Sequence, residues 1–558
     1  MKIDRRRALA LLGLGAAAPL AAHAQSPYGG AVAFEHGVAS GDPLANAVVL
    51  WTRITPKAEG AGPISFSWRL NPVDRRAGGA KSGTGVTGPD RDYTVKIDVT
   101  GLDPARAYTF EFEANGVTSP MGQTRTSPVG PVEDVVLAVA SCSLYPNGYF
   151  NAYRAIADLP RVDAVVHLGD YIYEYGGEGS YGMDSAVAQE RASVPAHEIV
   201  SLADYRQRHA QYKTDLDLQA AHARAPWIVT WDDHETTNNS WTGGAENHQP
   251  ETEGDWNLRK AAALKAYFEW MPIRDPAPGV SLDAINRTFH FGDLVTLIML
   301  ETRLNARDLQ LDYAKDLTIT NDRPDIEAFV QKLNDPGRRM MSASQEAWLA
   351  GELSGSVKSG RTWQVLGNAV VMGRLKMPNA KASLGEAEYA RILANLPAPI
   401  AGFISRMETM SPFGLPYGLD MWDGYPVARE RLYDTIAAAQ ARTIVVSGDS
   451  HAFWANELSD DEGVLRAVEF GTTGITSPGI GDYVKTLPAG QLFADASPEV
   501  IYADHDAKGF VLLTLTPDTA KGELVKVSTI VSREFEATVS KTFVTTAQAT
   551  GVSPLKAL

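Results

Sequence analysis

Four apolar runs in this chain each end in side chains able to bind metal, and this constrains the fold more than any other feature. Residues 135–139 open into Ser141-Cys142-Ser143, and the run ending at Gly169 opens into Asp170-Tyr171-Ile172-Tyr173. Residues 226–231 lead into Asp232-Asp233-His234-Glu235, and the run ending at Gly448 leads into Asp449-Ser450-His451. Short apolar runs rich in β-branched residues read as buried strands. Open α/β sheets place their sites just beyond the C-terminal ends of such strands. The economical reading is one metal centre that does chemistry, assembled from four strand ends.

The N-terminus reads as an address. Arg5-Arg6-Arg7 precedes an apolar stretch from Ala8 to Ala22, and Ala22-His23-Ala24 fits a small-residue cleavage site. The arginine pair with Leu9 behind it reads as a twin-arginine export signal over residues 1–24. Asp4 and Ala8 depart from the usual pattern, so a general secretory signal is the alternative. The stretch is shorter than the ~20 apolar residues that span a bilayer. A mature protein beginning near Gln25, periplasmic or secreted and without a transmembrane segment, is therefore expected. The chain carries a net charge of −16, and loss of residues 1–24, which carry +3, leaves about −19. Such a surface repels nucleic acid and anionic membranes at long range. The single cysteine, Cys142, rules out an intramolecular disulfide and is either a buried residue or a ligand.

At 558 residues the chain is expected to form about two domains. Residues 25–131 carry β-forming runs at 47–53, 64–69, 93–99 and 108–113, with Gly83, Gly85, Gly88, Pro89, Asn115 and Gly116 read as turn residues between them. This pattern predicts an all-β immunoglobulin or fibronectin-like sandwich, a spacer or a binding module. From residue 132 to 558 apolar strands alternate with helical stretches such as 257–270, predicting a layered α/β or α+β domain. Residues 174–195, rich in Gly, Tyr and Ser, read as an irregular loop beside the site.

The order of these motifs is similar to that of calcineurin-like metallophosphoesterases, with Cys142, Asp233 and Asp449 at positions where that superfamily has histidine, asparagine and histidine. The longer segments His36-Gly-Val-Ala-Ser-Gly-Asp-Pro43, Leu50-Trp-Thr-Arg53, Thr230-Trp-Asp-Asp-His-Glu235, Asn238-Asn239, Trp422-Asp-Gly-Tyr425 and Ser447-Gly-Asp-Ser-His451 resemble the PhoD family of alkaline phosphatases, also described as phosphodiesterases or phospholipase D-like. The likeness runs over nearly the whole mature chain. It departs at Glu301, where the family usually has Asp.

The resemblance implies a ligand set residue by residue. Cys142, Asp170, Tyr173 and His451 correspond to a first metal, with a thiolate and a phenolate suited to Fe3+. Asp170 would bridge to a second metal held by Asp233, Asn238 and Asp449, an oxygen set that Ca2+ prefers and that suits Zn2+ less well. Two metals about 3.5–4 Å apart can clamp a phosphoryl group and activate water. His234 corresponds to the acid that stabilises or protonates the leaving oxygen.

The expected activity is hydrolysis of small phosphate mono- or diesters with release of phosphate, or alternatively phospholipase D-like cleavage of phospholipid head groups. A non-catalytic surface binding protein is the competing class, and the retention of every ligand position argues against it. His167 reads as a core histidine, Tyr171 and Tyr175 as packing or wall residues, and Asp232 as a residue that caps or supports its neighbour. Arg206 and Arg303 fit either a phosphate contact or a structural ion pair.

Overall fold

The computed structural model describes residues 27–558, apart from 75–78, 178, 180, 322 and 397. The export signal expected over residues 1–24 lies outside the described residues.

Two mixed sheets packed face to face form the centre. The larger has ten strands, and its middle contains Val135–Ala140, Ala164–His167 and Trp227–Val229, parallel to one another. The smaller has seven strands, with Val295–Met299, Trp363–Gly367, Thr443–Ser447 and Leu465–Gly471 parallel in its middle. Leu137, Val139, Val166 and Ile228 of one sheet meet Leu297, Val365, Val446 and Val468 of the other in a continuous apolar core. Because both faces of these strands are covered, most of their residues are apolar and they do not alternate. Each fully buried side chain of this kind contributes about 1.5–3 kcal/mol.

Helices close the outer faces. Asn151–Ala157, Leu202–Lys213, Leu216–Arg224 and Trp256–Trp270 cover the larger sheet, and Ala343–Lys358 with Pro426–Ala439 cover the smaller. The helix expected over 257–270 starts at Trp256, capped by the Asp255 carboxylate accepting from the amides of Asn257 and Leu258.

The N-terminal strands form a sandwich that is continuous with this core. Ile64–Pro72 pairs with Lys81–Thr87 and Ala107–Ala114 in one sheet. Val38–Gly41, Ala47–Arg53 and Thr94–Thr100 face it across an apolar cluster that includes Leu50, Ile64, Phe110 and Phe112. That second layer also extends the ten-stranded sheet, because Gly41 pairs in parallel with Trp227. Gly83 and Gly85, expected in a turn, lie inside the strand Lys81–Thr87. The rings of Trp68 and Phe66 occupy the space in which their Cβ atoms would stand, so large cross-strand residues supply the packing the glycines lack.

The C-terminal meander of Lys508–Leu515, Thr519–Val527 and Ala537–Thr546 completes the larger sheet, pairing antiparallel beside Val135–Ala140. No helix among the described residues is long and apolar enough to cross a membrane.

Candidate metal centre

The four strand ends converge. Cys142 follows Val135–Ala140, Asp170 follows Ala164–His167, Asp232 and Asp233 follow Trp227–Val229, and Asp449 and His451 follow Thr443–Ser447. Both sheets therefore contribute to one cluster. Potential ligand atoms of Cys142, Asp170 and His451 lie within 4.8 Å of one another, as do those of Asp170, Asp233 and His234, and those of Asp170, Asp232, Asp233 and Asp449. Asp170 belongs to all three groups.

The backbone bends sharply to present these side chains. Cys142, Asp170, Asp449 and His451 have φ of 60°, 55°, 63° and 55°, the left-handed region. A non-glycine residue there costs about 1–2 kcal/mol and persists only where its surroundings fix it. The amide of Cys142 donates to Gly169 O at 3.2 Å and that of Ser143 to Asp170 O at 2.9 Å, tying the first two turns together. The Glu235 carboxylate accepts from the amides of Asp170 (3.0 Å), Tyr171 (2.5 Å) and Asp232 (2.8 Å), clasping the second turn to the third. Gly169 has φ 106°, and a Cβ there would stand 2.3 Å from the Asp232 amide nitrogen, so only glycine lets these turns meet.

On one side of Asp170, its Oδ2 accepts from the Tyr173 hydroxyl at 3.0 Å and lies 3.4 Å from Cys142 Sγ. Tyr173 Oη is also 3.3 Å from His451 Nε2 and accepts from Ser477 Oγ at 2.7 Å. His451 Nδ1 lies 2.9 Å from Pro478 O and 3.3 Å from Tyr181 Oη, which turns Nε2 toward the cluster. Thiol, phenol, imidazole and carboxylate thus surround one small volume, a donor mixture able to hold a metal ion.

On the other side stand Asp233 and Asp449. Asp233 Oδ2 accepts from the Asn239 amide at 2.6 Å, whereas Asp233 Oδ1 and Asp170 Oδ1 are buried and accept no hydrogen bond. Buried carboxylate oxygens are normally satisfied, and a cation is the natural partner for both. Burial raises the carboxyl of Asp170 well above its usual range, with Asp233, Asp232 and Glu235 adding to the rise against His234, and it raises Asp449 to about 7 despite Arg303. Burial likewise pushes the Cys142 thiol and the Tyr173 phenol up. A bound cation reverses these preferences by favouring the deprotonated forms, so the donor set fits metal.

Asn238 stands at the rim, its Oδ1 accepting from Tyr175 at 3.3 Å and its amide nitrogen Nδ2 donating to Glu246 at 3.4 Å. His234 lies in the Asp170–Asp233 group, its ring 4.2 Å from that of Tyr173. Its Nδ1 is 2.6 Å from Glu174 Oε2. Burial alone would lower its pKa, but Glu174, Asp233 and Asp170 together raise it well above the ordinary histidine value.

Several supporting residues take definite roles. Asp232 lies in the cluster, yet both its oxygens accept from Arg303, which also reaches Asp420 at 2.6 Å and stands 3.6 Å from Asp233 and 3.9 Å from Asp449. Arg303 is a fully buried counter-ion for these carboxylates. Glu301 turns away from the cluster and accepts from the amides of Arg303, Leu304 and Asn305 and from the Trp231 indole, fixing the loop that carries Arg303. Arg206 pairs with Glu269 at 2.7 Å, outside the cluster. His167 is a core residue stacked on Trp227 with Nε2 2.8 Å from Tyr153 Oη, and Tyr175 is a wall against His234. Glu174, Glu235, Tyr181 and Ser477 escaped the sequence reading as site-shaping residues. Glu174 and Glu235 close two of the motifs and Tyr181 lies in the 174–195 loop expected beside the site, whereas Ser477 has no local signal.

A layered α/β protein whose strand ends gather a thiol, a phenol, imidazoles and carboxylates around one carboxylate is built as a hydrolase with a candidate metal centre. Residues 137–524 match the family model described as PhoD-like phosphatase, residues 20–128 match that of the PhoD-like phosphatase N-terminal domain, and the chain belongs to this family of phosphoric ester hydrolases. It is 33% identical over 503 residues to alkaline phosphatase D of Bacillus subtilis (strain 168), covering 88% of this chain and 77% of that protein. A solved structure titled "Structure of PhoD" superposes with a TM-score of 0.75 at 29% identity, covering 96% of this chain and 92% of the other.

Proposed function

We propose that this phosphatase is an exported, metal-dependent enzyme acting on phosphate mono- and diesters at alkaline pH, with Fe3+ held by Cys142, Asp170, Tyr173 and His451 and Ca2+ by Asp170, Asp233, Asn238 and Asp449. The observation that carries this reading is the convergence of thiol, phenol, imidazole and carboxylates on Asp170, with two buried carboxylate oxygens that accept no hydrogen bond. Metal bound there supplies Lewis acidity and a water that is deprotonated near neutral pH. The boundaries 25–131 for the sandwich and 132–558 for the catalytic domain, and export directed by residues 1–24, are part of the same reading.

The protein's own groups do the rest. Arg303 stabilises the ionised forms of Asp232, Asp233 and Asp449 without leaving its buried position. Glu174 holds the His234 Nδ1–H, so Nε2 is the nitrogen available to place a proton on the departing alkoxide. Tyr173 and Tyr175 flank the His234 ring and fix its plane.

Elemental analysis of protein purified from its native compartment, with hydrolysis of a monoester, a diester and a phospholipid measured side by side with added Ca2+, tests this. Iron and calcium are expected together with a visible charge-transfer band. Zinc alone in a colourless active enzyme contradicts the metal assignment, and inertness toward all three esters contradicts the enzyme assignment.

A further inference from the structure

We propose, resting on the phosphoesterase reading above, that a cleft beside the centre is a subsite for a planar aromatic alcohol of a phosphodiester. The cleft has a volume of about 750 Å³, and Asn239 and Asp420 are among the residues that line it. Asn239 donates its backbone amide to Asp233, and Asp420 binds Arg303, so the cleft begins one residue away from the carboxylate cluster. Its size falls in the range of small-molecule sites.

Aromatic rings stand in its walls. Trp241, Trp256, Tyr313, Tyr417 and Phe403 line it, and Phe403 is 40% exposed. The Trp241 ring lies over Gly243 and Gly244, where its backbone also pairs with Gly244, and this fixes the indole at the cleft's edge. Rings held in this way give flat surfaces on which another ring stacks, each such pair contributing a severalfold gain in affinity.

A histidine ring and several charges complete the lining. His248 also lines the cleft, is 8% exposed, and has no hydrogen bond at either ring nitrogen, although Nδ1 lies 3.2 Å from Glu253. Both ring nitrogens are buried, so His248 contributes to the wall through its ring, which packs 5.3 Å from that of Trp256. The remaining charges select against anions, since Glu246, Asp312 and Asp316 line the cleft with Lys315, which is itself paired with Asp312 at 3.3 Å. The occupant is therefore an uncharged aromatic group attached through the phosphodiester.

The test uses the metal-loaded wild-type enzyme and the variants Trp241→Leu and Phe403→Ser, the second at an exposed position where misfolding is not a concern. Bis(p-nitrophenyl) phosphate, β-glycerol phosphate and the inhibitor pair phenylphosphonate and methylphosphonate serve as probes. Each variant is expected to lower kcat/KM for the aromatic diester about three- to tenfold, mainly through KM, and to leave β-glycerol phosphate within about twofold. Phenylphosphonate should inhibit the wild type more tightly than methylphosphonate, and the preference should vanish in Trp241→Leu. Equal losses on both esters, or no loss on either, with an active wild type, overturn the subsite alone. A wild type that hydrolyses neither ester overturns the phosphoesterase reading beneath it.

Discussion

Glu174 Oε2 lies 2.6 Å from His234 Nδ1 in a fully buried contact, and the same carboxylate accepts from Thr237 Oγ1 at 3.1 Å and from the Asn238 amide at 2.8 Å. One side chain therefore holds the imidazole and the start of the Asn238-Asn239 turn in a single arrangement. If His234 delivers a proton as the P–O bond breaks, His234→Ala lowers kcat about 10²–10⁴-fold with metal content near wild type. Glu174→Gln should lower kcat in the same direction, because the amide no longer fixes the tautomer that leaves Nε2 for transfer. Full activity in His234→Ala would remove this residue from the chemistry.

Asp170 is the one residue common to all three ligand groups. Asp170→Ala should therefore lose metal and activity together, in contrast to His234→Ala. Tyr173→Phe should keep the fold, since the phenol's partners are Asp170, His451 and Ser477 at the site itself, and should abolish the visible band. Metal analysis and an absorption spectrum of each variant separate the two cases. A persistent band in Tyr173→Phe assigns the colour to another ligand.

The export reading rests on Arg5-Arg6 and the Ala22-His23-Ala24 site. Replacing both arginines with lysine should trap the precursor in the cytoplasm, and N-terminal sequencing of exported wild type should begin near Gln25. Normal export of the double variant assigns the chain to the general secretory route.

Strand ends were the most legible part of this molecule. Buried parallel strands have to be apolar on both faces, so residues 135–140, 164–167 and 443–447 announce themselves, and the polar residues that follow are conspicuous. The continuity between the sandwich and the larger sheet was not legible. It depends on the pairing of Gly41 with Trp227, 186 positions apart in sequence, and no local pattern encodes a partner at that distance. Strand Lys81–Thr87 was hidden for a different reason: its glycines are compensated by rings on the neighbouring strand. Within the site, Cys142 through His451 could be named because each sits in a motif. Ser477 could not, since its bond to Tyr173 joins loops 304 residues apart.

Glu235 contributes no atom to the ligand groups, yet it accepts three amides from two strand-end turns. Glu235→Gln puts an NH2 group where an amide hydrogen must be met and leaves at least one buried donor unpaired, a cost of about 1–3 kcal/mol. The variant should unfold at lower temperature or denaturant concentration and bind metal more weakly, with excess metal recovering part of the activity. An unchanged midpoint together with unchanged metal affinity would show that the clasp is dispensable.

Acid stability offers a test away from the site. His209 is fully buried between Tyr171 and Trp270, with no hydrogen bond at either nitrogen. Burial, with Lys213 and Arg208 adding to it, lowers its pKa from 6.5 to about 3. In the unfolded chain the imidazole takes up a proton near pH 6.5, whereas in the folded chain it stays neutral to about pH 3. The unfolded state therefore binds more protons between these values, so stability rises with pH through that window. The contribution is fully present above pH 6.5 and is lost progressively as pH falls toward 3, at about 1.4 kcal/mol per pH unit for one group. His167, lowered to about 3 by burial and Lys213, acts with the same sign. His209→Phe keeps a ring against Trp270 and removes one titrating group, so urea midpoints measured from pH 7.5 to 4.5 should fall less steeply than those of wild type, by about one proton of linkage. Parallel pH profiles for the two proteins would mean that His209 is protonated in the folded state.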